Sequence, residues 1–293
     1  ELMELHTLGV DAGYTQDDVI AVARAFTGWT IDRPRDGGTF KFDAAMHDDD
    51  EKVVLGQKIK AGGKKDGEAV LDLLATHPAT ARFITTKLVR RLVADEPPTA
   101  LVDRVAQVFL DTRGDLREVT RAIVTSPEFF SAEARHAKVK TPLEFVTGVL
   151  RALEMEVTGA DIPDALDAMG MALFEHPSPD GFSEMSEDWM DSEQLKQRIQ
   201  WVNTLVRNSA DSGRSYLDPV GYFNSNGYTT VEGIVAFLSD LLFADDITLT
   251  ELVTALEILN QGVPYESDSA PGKEVKLRRL LGTLLSYPGA QYQ

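Results

Sequence analysis

Apolar residues recur along most of the chain at helical rather than strand spacing. Thr15-Gln16-Asp17-Asp18 sets a capping residue ahead of first-turn acids, and Val19, Val22, Ala23 and Phe26 follow on one face before Gly28. From Asp66 onward helix succeeds helix. Val70, Leu71, Leu73 and Leu74 line one. Ala81, Ile84, Leu88, Leu92 and Val93 line the next, which opens at Pro78. Proline is tolerated at a first helical position because its missing N–H would have no partner there. Leu101, Val105, Val108 and Phe109 line a third. Asp115-Leu116-Arg117-Glu118, Thr141-Pro142-Leu143-Glu144 and Thr248-Leu249-Thr250-Glu251 have capping-box form, with the first side chain and the acid three residues on each satisfying a backbone N–H. Asp191-Ser192-Glu193-Gln194 starts another helix through Leu195, Ile199, Val202 and Leu205, and three more are expected near 230–243, 249–260 and 273–286.

Three stretches break this pattern. Between 38 and 56, Phe40-Lys41-Phe42 and Lys52-Val53-Val54-Leu55-Gly56 flank the acidic run His47-Asp48-Asp49-Asp50-Glu51, which predicts one small β-hairpin flap. Residues 170–190 and 209–229 are irregular and rich in aromatic residues, and long ordered loops are often functional. At the front, Leu2, Leu5 and Leu8 recur three apart and Gly9 stands where a helix C-cap would be, with no capping residue ahead of them. That pattern reads as the last two turns of a helix whose start is missing, an N-terminal truncation. The expected fold class is mainly α: a multi-helix bundle of about ten helices with one hairpin flap. With no flexible linker in evidence, residues 1–293 read as a single helical unit whose softest boundary is near 155–190. A short echo between 122–129 and 283–290 suggests a duplicated helical element.

Charge and composition then narrow the functions. The 293 residues carry 29 Lys plus Arg against 47 Asp plus Glu, a formal charge of −18. This opposes a general phosphate-backbone binder, so no nucleic acid is expected, and it opposes an anionic membrane surface. The imbalance is uneven: 20 basic and 23 acidic side chains in 1–140, but 9 and 24 in 141–293. No stretch approaches the ~20 apolar residues of a membrane span. The absence of cysteine excludes disulfides, Cys-ligated metal centres and thiol catalysis.

Any transition-metal site must therefore draw on the histidines and carboxylates. The five histidines include no closely spaced pair. The best constellation joins His6 and Glu4 with His47 and Asp48, a candidate divalent-metal site. Glu4 and His6 are two residues apart, about 200° around a helix, which works against their convergence. His6 as a structural residue bonded near a helix end is the bland alternative, and Asp48-Asp49-Asp50-Glu51 reads either as a Ca²⁺ cluster or as a solvated acidic turn. Nucleophile-elbow, phosphate-loop and dinucleotide motifs are missing. Phe182, Trp189 and Tyr222, in and near the two irregular stretches, are either core anchors or the lining of a ligand groove.

Taken together, several segments resemble a bacterial family catalogued as domain of unknown function 1800. They are Glu1-Leu2-Met3-Glu4-Leu5-His6-Thr7-Leu8-Gly9, Gly13-Tyr14-Thr15-Gln16-Asp17-Asp18-Val19, Ala23-Arg24-Ala25-Phe26-Thr27-Gly28-Trp29 and His47-Asp48 with Lys52 and Leu55-Gly56. Ala81-Arg82-Phe83-Ile84 with Lys87-Leu88, Thr125-Ser126-Pro127-Glu128-Phe129, Lys138-Val139-Lys140-Thr141-Pro142-Leu143-Glu144, Trp189-Met190 and Ser286-Tyr287-Pro288 continue the likeness, with Gly289 where glutamate is more usual. The resemblance implies that a further helical segment precedes the first motif, so this chain is expected to be the C-terminal portion of a member. It implies an exported protein, periplasmic or secreted. Its expected company is an exported hydrolase-like protein of the domain of unknown function 1501 type. It carries over no catalytic residues but marks His6, Arg24, Gly28-Trp29, His47-Asp48 and Arg82 as motif positions. Three functional expectations follow. The first is an interaction or scaffold partner of that hydrolase-like protein. The second is a metal-assisted hydrolase using His6, His47 and Asp48, with Arg24 as an anion clamp. The third is a glycan-binding module using Phe182, Trp189 and Tyr222.

Overall fold

The computed structural model describes residues 1–159, 161–244 and 246–293. The chain forms two compact units, Glu1–Ser131 and Ala132–Gln293. The division falls ahead of the 155–190 stretch. Among the described residues there are twelve α-helices and two small antiparallel sheets, so the mainly α class holds.

Unit 1 opens with turns. Residues 1–9 make no regular helix. Leu5 N–H still donates to Glu1 O (2.8 Å), and Gly9, at φ +90°, closes onto Met3 O (3.0 Å), a helix-end geometry without the helix. Then come α1 (Gln16–Ala25), β1 (Trp29–Asp32), β2 (Thr39–Phe42), β3 (Lys52–Val54), β4 (Gln57–Ile59), α2 (Lys64–Ala75), α3 (Pro78–Leu92), α4 (Thr99–Asp111) and α5 (Leu116–Val124). Thr15 caps α1 as expected and forms a full capping box with Asp18, while α1 buries Ala21, Val22 and Ala25 and leaves Val19 and Ile20 outside. At α5 Asp115 accepts the Arg117 and Glu118 N–H groups, but Glu118 turns to Arg121 and the expected box stays half-made.

The single flap resolves into two hairpins. Phe42 pairs with Trp29 and Phe40 with Ile31, while Lys52 pairs with Ile59. The acidic run is the segment between the hairpins, not a tip. The reason is local. Leu55 (φ 49°) and Gly56 (φ 73°) supply the two consecutive positive φ values of a tight two-residue turn, so β3 finds its partner immediately. The short closure also costs less chain entropy than pairing across the acidic run. Asp18 fastens that turn to α1 by accepting the Leu55 N–H at 2.7 Å. Met3, Leu8, Val22, Val54, Val70 and Leu74 pack beneath as one apolar cluster.

Unit 2 consists of α6 (Pro142–Ala152), α7 (Ile162–Ala168), α8 (Ser192–Leu205), α9 (Pro219–Ser225), α10 (Val231–Phe243), α11 (Leu249–Asn260) and α12 (Ala270–Leu285). Helices α7 and α9 are the two not foreseen. Each has seven residues, too few for an apolar period to show. Phe145, Val202, Phe223, Leu238, Leu280 and Leu284 belong to the main core. The echoed segments each end the last helix of a unit, α5 and α12.

A second knot closes unit 2. Val139 bridges antiparallel to Tyr292, with Lys140 N–H on Gln291 O (2.8 Å) and Gln293 N–H on Lys138 O (2.9 Å). Arg198 of α8 is wholly buried beside them. Its guanidinium donates to Lys140 O (2.6 Å), Trp189 O (3.2 Å) and Gln291 Oε1 (3.3 Å) and lies 5.2 Å from the Phe145 ring centroid. Burial pushes its pKa down to about 10, against the opposing pull of the Glu144 charge. Gln291→Ala removes one of these acceptors, and leaving a buried donor without its partner costs about 1–3 kcal/mol. The expected outcome is a lower urea midpoint for unit 2 at unchanged slope; an unmoved midpoint would show that Arg198 does not depend on Gln291.

Candidate functional site

Five of the motif residues of unit 1, Arg24, Gly28, His47, Asp48 and Lys52, converge on one network built from α1, the segment after β2, β3 and α2. Arg24 lies in the last turn of α1, and Thr27 and Gly28 follow just beyond its end. Thr27 Oγ donates to Arg24 O (2.6 Å) and accepts the Asp48 N–H (2.9 Å). Gly28 has φ +80°, and a Cβ there would lie 2.6 Å from Asp43 O and 3.3 Å from His47 Cβ. Only glycine lets the two segments approach this closely. The Arg24 guanidinium then grips Asp48 with both arms, Nε to Oδ2 at 2.7 Å and Nη2 to Oδ1 at 3.1 Å.

Beneath this pair lie three side chains with no solvent exposure: His47, Lys52 and Asp66. His47 Nδ1 donates to Thr27 O at 2.8 Å, and Nε2 stands 3.2 Å from Asp66 Oδ2. Lys52, on an inward position of β3, donates from Nζ to the same Oδ2 at 2.7 Å and also to Asp48 O. Burial by itself would raise the Asp66 pKa. The hydrogen bonds from Lys52 and His47, and the Lys52 charge, outweigh it and hold the carboxyl below its usual value. The Arg24 hydrogen bond, helped by the Asp50 N–H, lowers Asp48 to about 2.

The expected metal constellation is not assembled. Glu4 and His6 are exposed, whereas the His47 side chain is wholly buried, and Asp48 is engaged by Arg24. Among the described residues no group of three or more His, Asp and Glu side chains is placed to hold a metal ion. The donor set does not fit one either. The Lys52 ammonium already sits on Asp66 where a cation would bind, and His47 Nε2, the ring nitrogen left once Nδ1 donates to Thr27 O, stands against that same Asp66 oxygen. Arg24 is correspondingly no anion clamp, because its fork is filled by Asp48. Arg82 stands apart from the network, exposed on α3 and paired with Asp103 of α4. Trp29 packs edge-to-face on Phe26 (4.9 Å) and Phe40 (5.1 Å) and against Gly67, where a Cβ would come within 2.7 Å of the indole.

The aromatic groove in unit 2 does not form. Trp189 is 4% exposed, in a small core with Val139 and Met171, and its indole N–H donates to Ser183 O at 2.9 Å. Phe182 packs on that core, while Tyr222 belongs to the main core and donates its hydroxyl to Ala152 O at 2.9 Å. All three are anchors, because the loops that carry them must be fastened to the helices they span. Sequence reading missed Asp66 and Thr27. Asp66 looks like an ordinary first-turn acid favoured by the helix dipole, and nothing in the chain marks it as buried.

The fold and this network define a mainly α protein in which Arg24, His47, Asp48 and Lys52 are joined with Asp66 in an ion-pair lattice. The chain belongs to the family described as protein of unknown function (DUF1800), whose model matches residues 1–292. The match spans nearly the whole chain and lends no support to its being only the C-terminal portion of a member. No curated protein and no solved structure matches it.

Two measurements check the network. Asp66→Asn leaves the buried Lys52 charge with only Asp48 Oδ1, 3.9 Å away, as its counter-charge, a defect approaching the ~3–5 kcal/mol of a broken buried pair, and unit 1 is expected to melt first. Asp48 titrates lower in the folded than in the unfolded chain. Its stabilisation is therefore complete above about pH 3.8 and is lost as pH falls through about 2. Asp48→Asn should flatten the stability–pH curve in that window, as followed by far-UV circular dichroism.

Proposed function

We propose that this protein is an exported helical interaction protein, a scaffold partner for an exported hydrolase-like protein of the domain of unknown function 1501 type. The observation that carries this reading is the first hairpin. The network holds Gly28 and β1 in place, and the hairpin face shared by Trp29, Ile31, Phe40 and Phe42 is half covered at the Trp29–Phe42 end. At its other end the cross-strand pair Ile31 and Phe40 stands 61% and 54% exposed. Around it Arg33, Arg35 and Lys41 are exposed in a chain that is otherwise strongly acidic. Asp32, which pairs with Arg33 at 3.3 Å, and the exposed Asp36 make the rim mixed in sign, and an exposed apolar pair inside a charged rim has the composition of a contact surface. The network supports the same reading: it holds the base of this hairpin, and Arg24, His47, Asp48 and Lys52 are engaged within the protein.

Co-expression with such a hydrolase-like protein from the same genome should give a complex that elutes as one species. The exposed substitutions Ile31→Asp and Phe40→Ser together should abolish co-elution while leaving the melting temperature nearly unchanged. Separate elution of the wild-type proteins would overturn the proposal.

A further inference from the structure

A cleft of about 440 Å³ lies in unit 2 between α7, α8 and the turn at Ser212–Arg214. We propose that it binds a neutral sugar residue of a glycan, with Trp201 as its stacking platform. This site is in a different unit from the hairpin and does not rest on the function proposed above.

Helix α8 supplies one wall. Gln197, Gln200, Trp201 and Thr204 are spaced three and four residues apart and therefore share a face, and all four line the cleft. Trp201 is half-buried and braced from behind by Phe145, edge-to-face at 5.7 Å, so the indole cannot turn into the core. On α7, Ala165 and Ala168 line the cleft with side chains of one carbon each, which leaves room for a ring beside the indole. The remaining wall is fixed before any ligand arrives. Ser215, directly after the turn, donates from Oγ to Asp161 Oδ1 (3.0 Å) at the start of α7, and its carbonyl accepts from Asn208 Nδ2 (2.8 Å) just beyond the end of α8.

The lining selects the ligand class. Sugar rings present an apolar C–H face and a perimeter of hydroxyls that both donate and accept. The apolar face matches an indole; the perimeter matches planar amide, carboxylate and guanidinium groups. The cleft has both, with Gln200, Asp164 and Arg214 exposed around Trp201. Gln197 Nε2 is tied to Glu193 at 2.6 Å, which leaves its carbonyl oxygen as a fixed acceptor. Phosphate or sulfate esters fit poorly, because Asp161 and Asp164 outnumber Arg214 among the charged lining groups. The volume lies within the ~300–1,000 Å³ typical of small-ligand sites.

The test is calorimetric titration of the full chain with four neutral tetrasaccharides (cellotetraose, maltotetraose, chitotetraose and mannotetraose), with a sulfated tetrasaccharide alongside. At least one neutral probe should bind with Kd of about 1 mM or tighter. Gln200→Ala, a change at an exposed position, should weaken it about fivefold by loss of one hydrogen bond. Trp201→Phe should weaken it about tenfold, with melting temperatures showing both variants folded. No binding by any neutral probe, binding of the sulfated probe alone, or affinity unchanged in both variants would each overturn the proposal. The Ile31→Asp/Phe40→Ser protein should bind the sugar normally, so the hairpin reading and this one fail independently.

Discussion

A carboxylate cannot be buried alone. Removing Asp66 from water is repaid only because Lys52 and His47 both reach the same oxygen, and those two groups are themselves enclosed only because Asp66 is there. The three come from α2, β3 and the segment after β2, so no one of these elements can settle before the others. Arg24 and Asp48 extend the dependence to α1, and Gly28 removes the side chain that would hold the segments apart. Unit 1 is small and its strands are three or four residues long. Strands that short are marginal in water by themselves, and the lattice supplies the directional constraint that fixes their register.

Unit 2 meets the same difficulty with the opposite sign and a different answer. Among the described residues no carboxylate lies in ion-pair contact with its fully buried cation Arg198. Two backbone carbonyls and one amide oxygen receive it, with an aromatic face alongside. Burial lowers the pKa of the guanidinium, and these uncharged oxygens offset that desolvation less than a paired carboxylate would. The arrangement gains in geometry what it lacks in charge, because a planar fork with fixed directions specifies where three separate segments must lie.

The helices were legible wherever a cap and an apolar stripe of ten or more residues coincided. Thr141, Asp191 and Thr248 all cap as their sequences indicate. The sheet was legible only as extended chain. Its pairing was set by a two-residue turn at Leu55-Gly56, and leucine at positive φ gives no advance signal. The candidate site was half legible. His47, Asp48 and Arg24 do gather, and the Arg24–Asp48 pair is real, but their chemistry depends on Lys52 and Asp66, whose burial runs against their type. Histidine and aspartate in a motif look alike whether they bind a ligand or one another. Only the identity of the third and fourth partners separates the two cases, and those are far away in sequence.

The antiparallel seam between Val139 and Tyr292 has a bearing on the order in which the molecule takes shape. All groups of the unit 1 lattice lie between residues 24 and 66, so they have left the ribosome long before synthesis ends. In unit 2, the partners of Arg198 include Gln291, and the strand-like contact at 138–140 waits for residues 291–293. Vectorial synthesis therefore lets the first unit mature while the second is still being made. The second holds its hydrophobic helices unfinished until residues 291–293 arrive, so its apolar faces stay open longer than those of the first.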